Sequence, residues 1–381
     1  APEIEKLVKF AESYKGIIGN KYHEPNQGEL INLQNLGTSI YAKNSFSAGT
    51  QTNLTDFEIK APRTGLSVGE YLKDYQNRPL LMELKKDTSL TIRHFDNQPI
   101  KISDNTRIFA NDIKLGLPVR LHDYSILKHT FGLTTYEFHL SFSEVMKGDL
   151  ESMIDIIGFD ENISVHLPDY IPGNCLLDPL SRDNDIRSQS RKIIETVSAW
   201  SKKIEDKISR PVNIIGSFSC TNNQSRIDNL DQIFEYISLN SSNILPQWLP
   251  VYAWYFGGNV KLNLFNSLED IEYLVSNNQK ICLDVSHLVM AASYYSVDWK
   301  IWYKKLHECA EHLHISDAGD ASSEGLMIGE GKIGNFSEIL LSEKIKIIEC
   351  WQGHLNGGDG FQKSLNILNQ QYLLGAHSHG A

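Results

Sequence analysis

Three short words near the C-terminal end carry most of the reactive side chains: Asp284-Val285-Ser286-His287, His312-Leu313-His314-Ile315-Ser316-Asp317 and Glu349-Cys350-Trp351-Gln352-Gly353-His354. Each begins within or just after an apolar run. Earlier apolar runs lead into Glu137-Phe138-His139, His166 and Pro246-Gln247. Any one of these alone reads as a hydrogen-bonded core histidine or a helix-capping aspartate. Together they bring carboxylates, imidazoles and an amide into an apolar setting, which is costly unless they pair or hold a cation. One divalent metal ion held by Asp284, His314, Glu349 and Gln247 would satisfy them. Two carboxylates, an imidazole and an amide oxygen suit Mn²⁺, Mg²⁺, Co²⁺ or Zn²⁺. Around such an ion, His139, His166, Glu137, Asp317 and His354 are expected to contact substrate, and Trp254-Tyr255-Phe256-Gly257-Gly258 reads as an aromatic stacking loop led by Trp254. His312 is expected to point outward, toward a layer of helices.

The elements that must position these groups are short. Candidate strands are 118–121, 135–140, 163–167, 212–215, 243–245, 280–283, 312–315 and 345–348. Helical patterns separate them. Ile186, Ile193, Ile194, Val197, Trp200 and Ile204 recur at near-helical intervals between Asp185 and Lys207, and Ser267 opens another amphipathic helix. Eight strands alternating with helices over roughly 260 residues predict an α/β fold, a (β/α)₈ TIM barrel, whose catalytic groups gather at the C-terminal ends of the strands.

Composition agrees with a globular protein. The chain has 381 residues, 41% hydrophobic and 22% charged, with a formal net charge of -11. That excludes a disordered chain and argues against a nucleic-acid binder, which needs a positive field. No apolar run nears the length of a membrane span, and the first residues do not read as a signal peptide. The five cysteines are widely spaced with no Cys-x-x-Cys pair, which fits a reducing, cytoplasmic setting. Cys282 and Cys350 are expected to be buried thiols.

The N-terminal region has a different grain. Residues 1–35 read as a helix and a Gly/Asn/Pro-rich linker, 36–96 as a compact β-rich unit, 97–111 as a linker and 112–381 as the barrel. Within the second segment, Ser39-Ile40-Tyr41-Ala42 and Phe57-Glu58-Ile59-Lys60 read as strands. Ser67-Val68-Gly69-Glu70 has the spacing of a capping box.

The words Ser39-Ile40-Tyr41-Ala42-Lys43, Gly49-Thr50 and Phe57-Glu58-Ile59-Lys60-Ala61-Pro62-Arg63-Thr64-Gly65-Leu66-Ser67 resemble the antifreeze-like SAF (β-clip) domain at the end of sialic acid (N-acetylneuraminate) synthases. The resemblance covers nearly all of residues 36–96. It implies a place in nonulosonic acid biosynthesis, with residues 1–35 as the tail of an N-terminal synthase barrel in a longer chain. It implies a homodimer, and a role for Arg63 at a sugar. The family carries Lys-Arg-Pro-Gly where this chain has Lys60-Ala61-Pro62-Arg63, so the arginine is displaced.

Residues from about 112 to 375 resemble the xylose-isomerase-like barrels, which include sugar-phosphate isomerases, epimerases and endonuclease IV. The words that carry it are Cys282-Leu283-Asp284-Val285-Ser286-His287, His312-Leu313-His314-Ile315-Ser316-Asp317, Ile328-Gly329-Glu330-Gly331 and Ile348-Glu349-Cys350-Trp351-Gln352-Gly353-His354. The resemblance implies metal ligands on strands six, seven and eight at Asp284, His314 and Glu349. At strand five the family's glutamate is replaced by Gln247, a neutral and weaker ligand. Endonuclease IV has an Asp-x-His word where this chain has Ser323-Glu324-Gly325, so a phosphodiesterase is disfavoured. The resemblance then implies a metal-dependent sugar isomerase or epimerase acting on an amino-sugar or sugar phosphate. Glu349 would be the catalytic base and His287 would hold a substrate oxygen. The alternative is a non-catalytic sugar-binding or dimerisation module.

Overall fold

In the computed structural model, the described residues are Ile4, Leu7, Val8, Ala11 and Glu29, then 37–96, 100–219, 225–240, 243–255, 258–321 and 323–379, with side chains through Gly375. The expected helix and linker of residues 1–35 lie largely outside them, as do Phe256 and Gly257 of the aromatic stacking loop. Eight parallel strands form the central sheet: β1 (Leu115–Val119), β2 (Thr135–His139), β3 (Asn162–His166), β4 (Asn213–Gly216), β5 (Ile244–Pro246), β6 (Ile281–Asp284), β7 (Ala310–Ile315) and β8 (Ile345–Ile348). The sheet closes between β5 and β6, where Gln247 bridges Cys282 and the Trp248 amide donates to the Cys282 carbonyl at 2.8 Å. This is a (β/α)₈ barrel. Gly116 on β1 is required by packing, because a Cβ there would lie 2.2 Å from the Thr135 carbonyl oxygen of β2.

Helices cover the strands because their apolar stripes must be buried. In α1 (Asn184–Ile208), Asp183 caps the first turn and Ile193, Ile194, Val197, Trp200 and Ile204 form the buried face. Ser267 caps α2 (Leu268–Ser276) through a capping box with Asp270. Asp284 itself caps α3 (Val285–Tyr294), its Oδ1 accepting the His287 amide at 2.9 Å. The main apolar core lies between strands and helices. Inside the barrel, Ile215, Leu245 and Cys282 form a separate small apolar cluster.

Residues 39–96 have their own core, built on Ile40, Phe57, Leu66, Tyr71, Leu84 and Leu90. Ser39–Ala42 pairs antiparallel with Phe57–Lys60, and the Ser67 capping box forms with Glu70. This unit rests on the loop after β8. Arg93 Nη2 pairs with Asp359 Oδ1 at 3.0 Å, the Asn356 amide donates to the Thr64 carbonyl at 2.9 Å, and His354 Nε2 meets the Arg63 carbonyl at 3.3 Å. The expected linker of 97–111 is partly barrel. Asp104–Asp112 is a helix capped by Ser103, and its Phe109 packs on Tyr372 at 4.9 Å between ring centroids. Thr106, Phe109 and Ala110 are its buried side, at the three-to-four spacing of a helix. No helix among the described residues is long and apolar enough to cross a membrane.

Candidate metal and substrate site

Strand geometry decides which side chains meet. Residues two apart on a strand share a face, so Glu137 and His139, Ser164 and His166, Cys282 and Asp284, and His312 and His314 all turn into the barrel. The register sets Glu137 beside Ser164, His139 beside His166 and Asp284 beside His314. The outward placement expected of His312 is therefore wrong. It is fully buried, and its Nε2 lies 2.9 Å from Glu137 Oε2. The two-residue period that carried His314 inward had to carry His312 with it.

The upper layer opens into a cavity of about 250 Å³. His139, His166, Gln247, Trp254, Asp284, His287 and Glu349 line it. Gln247 Nε2 lies 3.1 Å from Asp284 Oδ2 and 3.1 Å from His314 Nδ1. His314 Nδ1 lies 2.8 Å from Glu349 Oε2 and 3.8 Å from Asp284 Oδ2. Ligands about 2.1 Å from a shared cation are spaced by about 3.0–3.4 Å in octahedral or tetrahedral arrangements; the two Gln247 spacings match that, while His314 stands closer to Glu349 and farther from Asp284, and Asp284 is in none of the tightest ligand groups among the described residues. His166 supports an oxygen from Gln247. Its Nδ1 donates to the Leu167 carbonyl at 2.7 Å, leaving Nε2 as an acceptor 3.1 Å from the Gln247 amide. A half-turn of that amide, whose ends are interchangeable, gives its NH₂ to His166 and its oxygen to Asp284 and His314. Across the barrel interior, Cys282–His312–His314, Glu137–His139–His314 and His166–His314–Glu349 each bring ligand atoms within 4.8 Å of one another.

The charges in this layer are unequal. Burial pushes the Asp284 carboxyl up to about 6, with Glu349 adding to the rise. Glu349, despite burial, is held well below the usual carboxylate range by His314, His139 and His166. Burial lowers His139. His314 is raised well above its ordinary value against the effect of burial, by Cys282, Glu137 and Glu349. His287 Nδ1 meets the Trp248 carbonyl at 3.0 Å and Asp284 Oδ2 at 3.3 Å, and its Nε2 faces Glu324 Oε2 at 3.6 Å. These two carboxylates raise His287 against burial.

Some expected contacts lie elsewhere. Glu137 is below the cavity floor, within hydrogen-bond distance of Ser164, His139, His312 and His314. The His312 and His314 rings approach it out of line, held more by charge than by a directed bond. Asp317 is fully buried in loop backbone, accepting from the amides of Ala318, Gly329 and Ile333. His354 faces the Arg63 carbonyl, and burial drops it to about 4. Arg63 is committed to Glu70, its Nη2 lying 2.7 and 2.8 Å from the two carboxylate oxygens.

Other cavity residues went unnoticed in the sequence. Glu324, on the loop after β7, lines the cavity and is pushed up to about 7 by burial. Arg120, Asp169 and Ser217 also face it. They sit in irregular segments, where periodicity gives no signal. Tyr255, named in the sequence beside Trp254, faces it from the strand Tyr252–Tyr255. The Trp254 indole N–H is buried with no acceptor among the described residues, leaving a donor for a ligand.

No family model matches this chain, and no curated protein matches it. Among solved structures it is similar to an L-ribulose 3-epimerase, at 13% identity and a TM-score of 0.46 over 69% of this chain and 96% of that one. It is also similar to a candidate xylose isomerase from Rhodospirillum rubrum ATCC 11170, at 9% identity and a TM-score of 0.49 over 68% and 98%. A third, SacUVDE, gives 12% identity and a TM-score of 0.38 over 72% and 92%. At these values no residue role transfers; the barrel assignment rests on its own strand order.

Proposed function

We propose that the barrel is a metal-dependent isomerase or epimerase of a polyhydroxylated carbonyl compound, an amino-sugar or its phosphate. One observation carries this reading: Gln247, Asp284 and Glu349 line a sugar-sized cavity that also presents Glu324 and His287, and each lies within 3.8 Å of the buried His314 beneath it. A divalent ion held there by those four would polarise a carbonyl and its neighbouring hydroxyl, making the carbon-bound proton more acidic. The chain's own residues do the rest. Glu349 is ionised and accepts a proton. Glu324, raised to about 7, is poised to give one near neutral pH. His287 bridges Asp284 and Glu324 and is placed to hold a substrate oxygen. Trp254 offers its ring and its N–H.

The test is exchange of a sugar's carbon-bound proton with solvent deuterium, read by NMR over a panel of amino-sugars and their phosphates. Glu349→Gln is expected to lower exchange by about 10²–10⁴-fold. If the wild-type protein exchanges none of them, the isomerase reading fails. A binding module without turnover is favoured by one residue, Gln247, whose neutral amide replaces a carboxylate. Sugar binding without exchange would identify it.

The resemblance of residues 36–96 supports a wider proposal. The chain belongs with sialic-acid-synthase-like proteins of nonulosonic acid biosynthesis, in the cytoplasm, as a homodimer, with no nucleic-acid or membrane partner. The separate core of residues 39–96 is consistent with an SAF domain. Sedimentation velocity tests the dimer.

A further inference from the structure

Glu137 lies on β2 one layer beneath the cavity floor and is fully buried. Interiors of such barrels are ordinarily filled by branched apolar side chains, and a carboxylate there is costly unless its lone pairs are met. Here two hydrogen bonds and two close imidazoles meet them. Oε1 has His139 Nε2 at 2.9 Å and Oε2 has Ser164 Oγ at 2.8 Å as hydrogen-bond partners, while His314 Nε2 at 2.8 Å from Oε1 and His312 Nε2 at 2.9 Å from Oε2 stand out of line and act by charge. With these four groups around it, Glu137 presents no open side to a substrate. All three imidazoles turn the same nitrogen toward it, which frees Nδ1 on each. His314 Nδ1 then faces Glu349 Oε2 at 2.8 Å, and His139 Nδ1 faces Glu349 Oε1 at 3.7 Å.

We infer that Glu137 is a positioning residue: by its hydrogen bond to His139 Nε2 and its charge facing Nε2 of His312 and His314, it sets the tautomer of the cluster and presents the Nδ1 lone pair of His314 to a cation in the cavity. The cation clause rests on the metal reading above; the tautomer clause does not. A buried carboxylate behind a ligating imidazole sets both ring orientation and basicity, and its loss weakens metal binding by about 10–100-fold.

Two measurements on the full chain test this. Long-range ¹H–¹⁵N correlation spectra of ¹⁵N-histidine protein read the tautomers, with His139→Asn and His312→Asn giving assignments. Calorimetric titration with Zn²⁺ reads affinity. In the metal-free wild type, His139 and His312 are expected as Nε2–H tautomers. Glu137→Gln is expected to scatter that pattern and weaken Zn²⁺ by about 10–100-fold, with Glu137→Asp, which keeps the charge, recovering part of both. Nδ1–H tautomers in the wild type, or a Glu137→Gln protein with unchanged tautomers and affinity, would overturn the inference. If the wild type takes up no Zn²⁺, the metal reading falls, while its spectra still decide for or against Glu137. If Glu137→Gln does not fold, the wild-type spectra again decide.

Discussion

Two kinds of buried carboxylate share this barrel. Glu137, in the lower layer, is surrounded by Ser164, His139, His312 and His314. Despite complete burial, His314 and His312 hold it well below the ordinary carboxylate range. Asp284 and Glu324, at the cavity, are pushed the other way by burial, to about 6 and about 7. The protein satisfies the first charge by itself. It leaves the second pair at the wall of a cavity. Burial alone does not mark a functional carboxylate; a raised pKa at a cavity wall does. By that standard Glu137 supports the site, while Asp284 and Glu324 act in it.

The contrast can be sharpened at Glu324. Its folded pKa lies above its ordinary value of 4.5, so between pH 4.5 and about 7 the metal-free folded protein binds more protons than the unfolded chain. Stability is therefore lost as pH rises through that window. A rise from 4.5 to about 7 corresponds to at most about 3 kcal/mol. Glu324→Gln is expected to match the wild type near pH 4 and to exceed it above pH 7, as measured by urea unfolding of metal-free protein. Equal stabilities at both ends would place Glu324 with Glu137, as a satisfied charge.

A smaller effect is expected from the β-rich unit. Arg63 is 8% exposed, but the Glu70 side chain facing it is 45% exposed, so solvent screens the pair. Arg63→Met should cost about 1 kcal/mol or less in thermal unfolding and leave metal affinity and proton exchange unchanged. A loss of exchange would return Arg63 to the sugar site.

Much of the barrel was legible in the sequence because apolar runs and polar run-ends follow strand period. The strand expected at 345–348 agrees with β8 throughout, and Thr135 begins β2 as read. The first strand was expected at 118–121, whereas β1 runs Leu115–Val119, with Gly116 admitting the β2 backbone. Asp284, His314 and Glu349 could be singled out because each sits on a strand or just past its end. Glu324 could not, since a loop carries no period. Glu137 was singled out but misassigned: its neighbours His312 and His314 are far away in sequence, and only strand register shows that they close around it. Asp317 and His354 look reactive in sequence, yet backbone amides and the neighbouring unit occupy them.

The most direct test of the central claim is metal stoichiometry. Protein purified without chelator, loaded with Mn²⁺ or Zn²⁺ and desalted, should carry one ion per chain by elemental analysis. Asp284→Asn, which keeps an oxygen to cap α3 but removes the charged ligand, should carry well under one. A wild type that holds no ion, or an Asp284→Asn protein that holds as much as the wild type, would contradict a cation site built on Gln247, Asp284, His314 and Glu349.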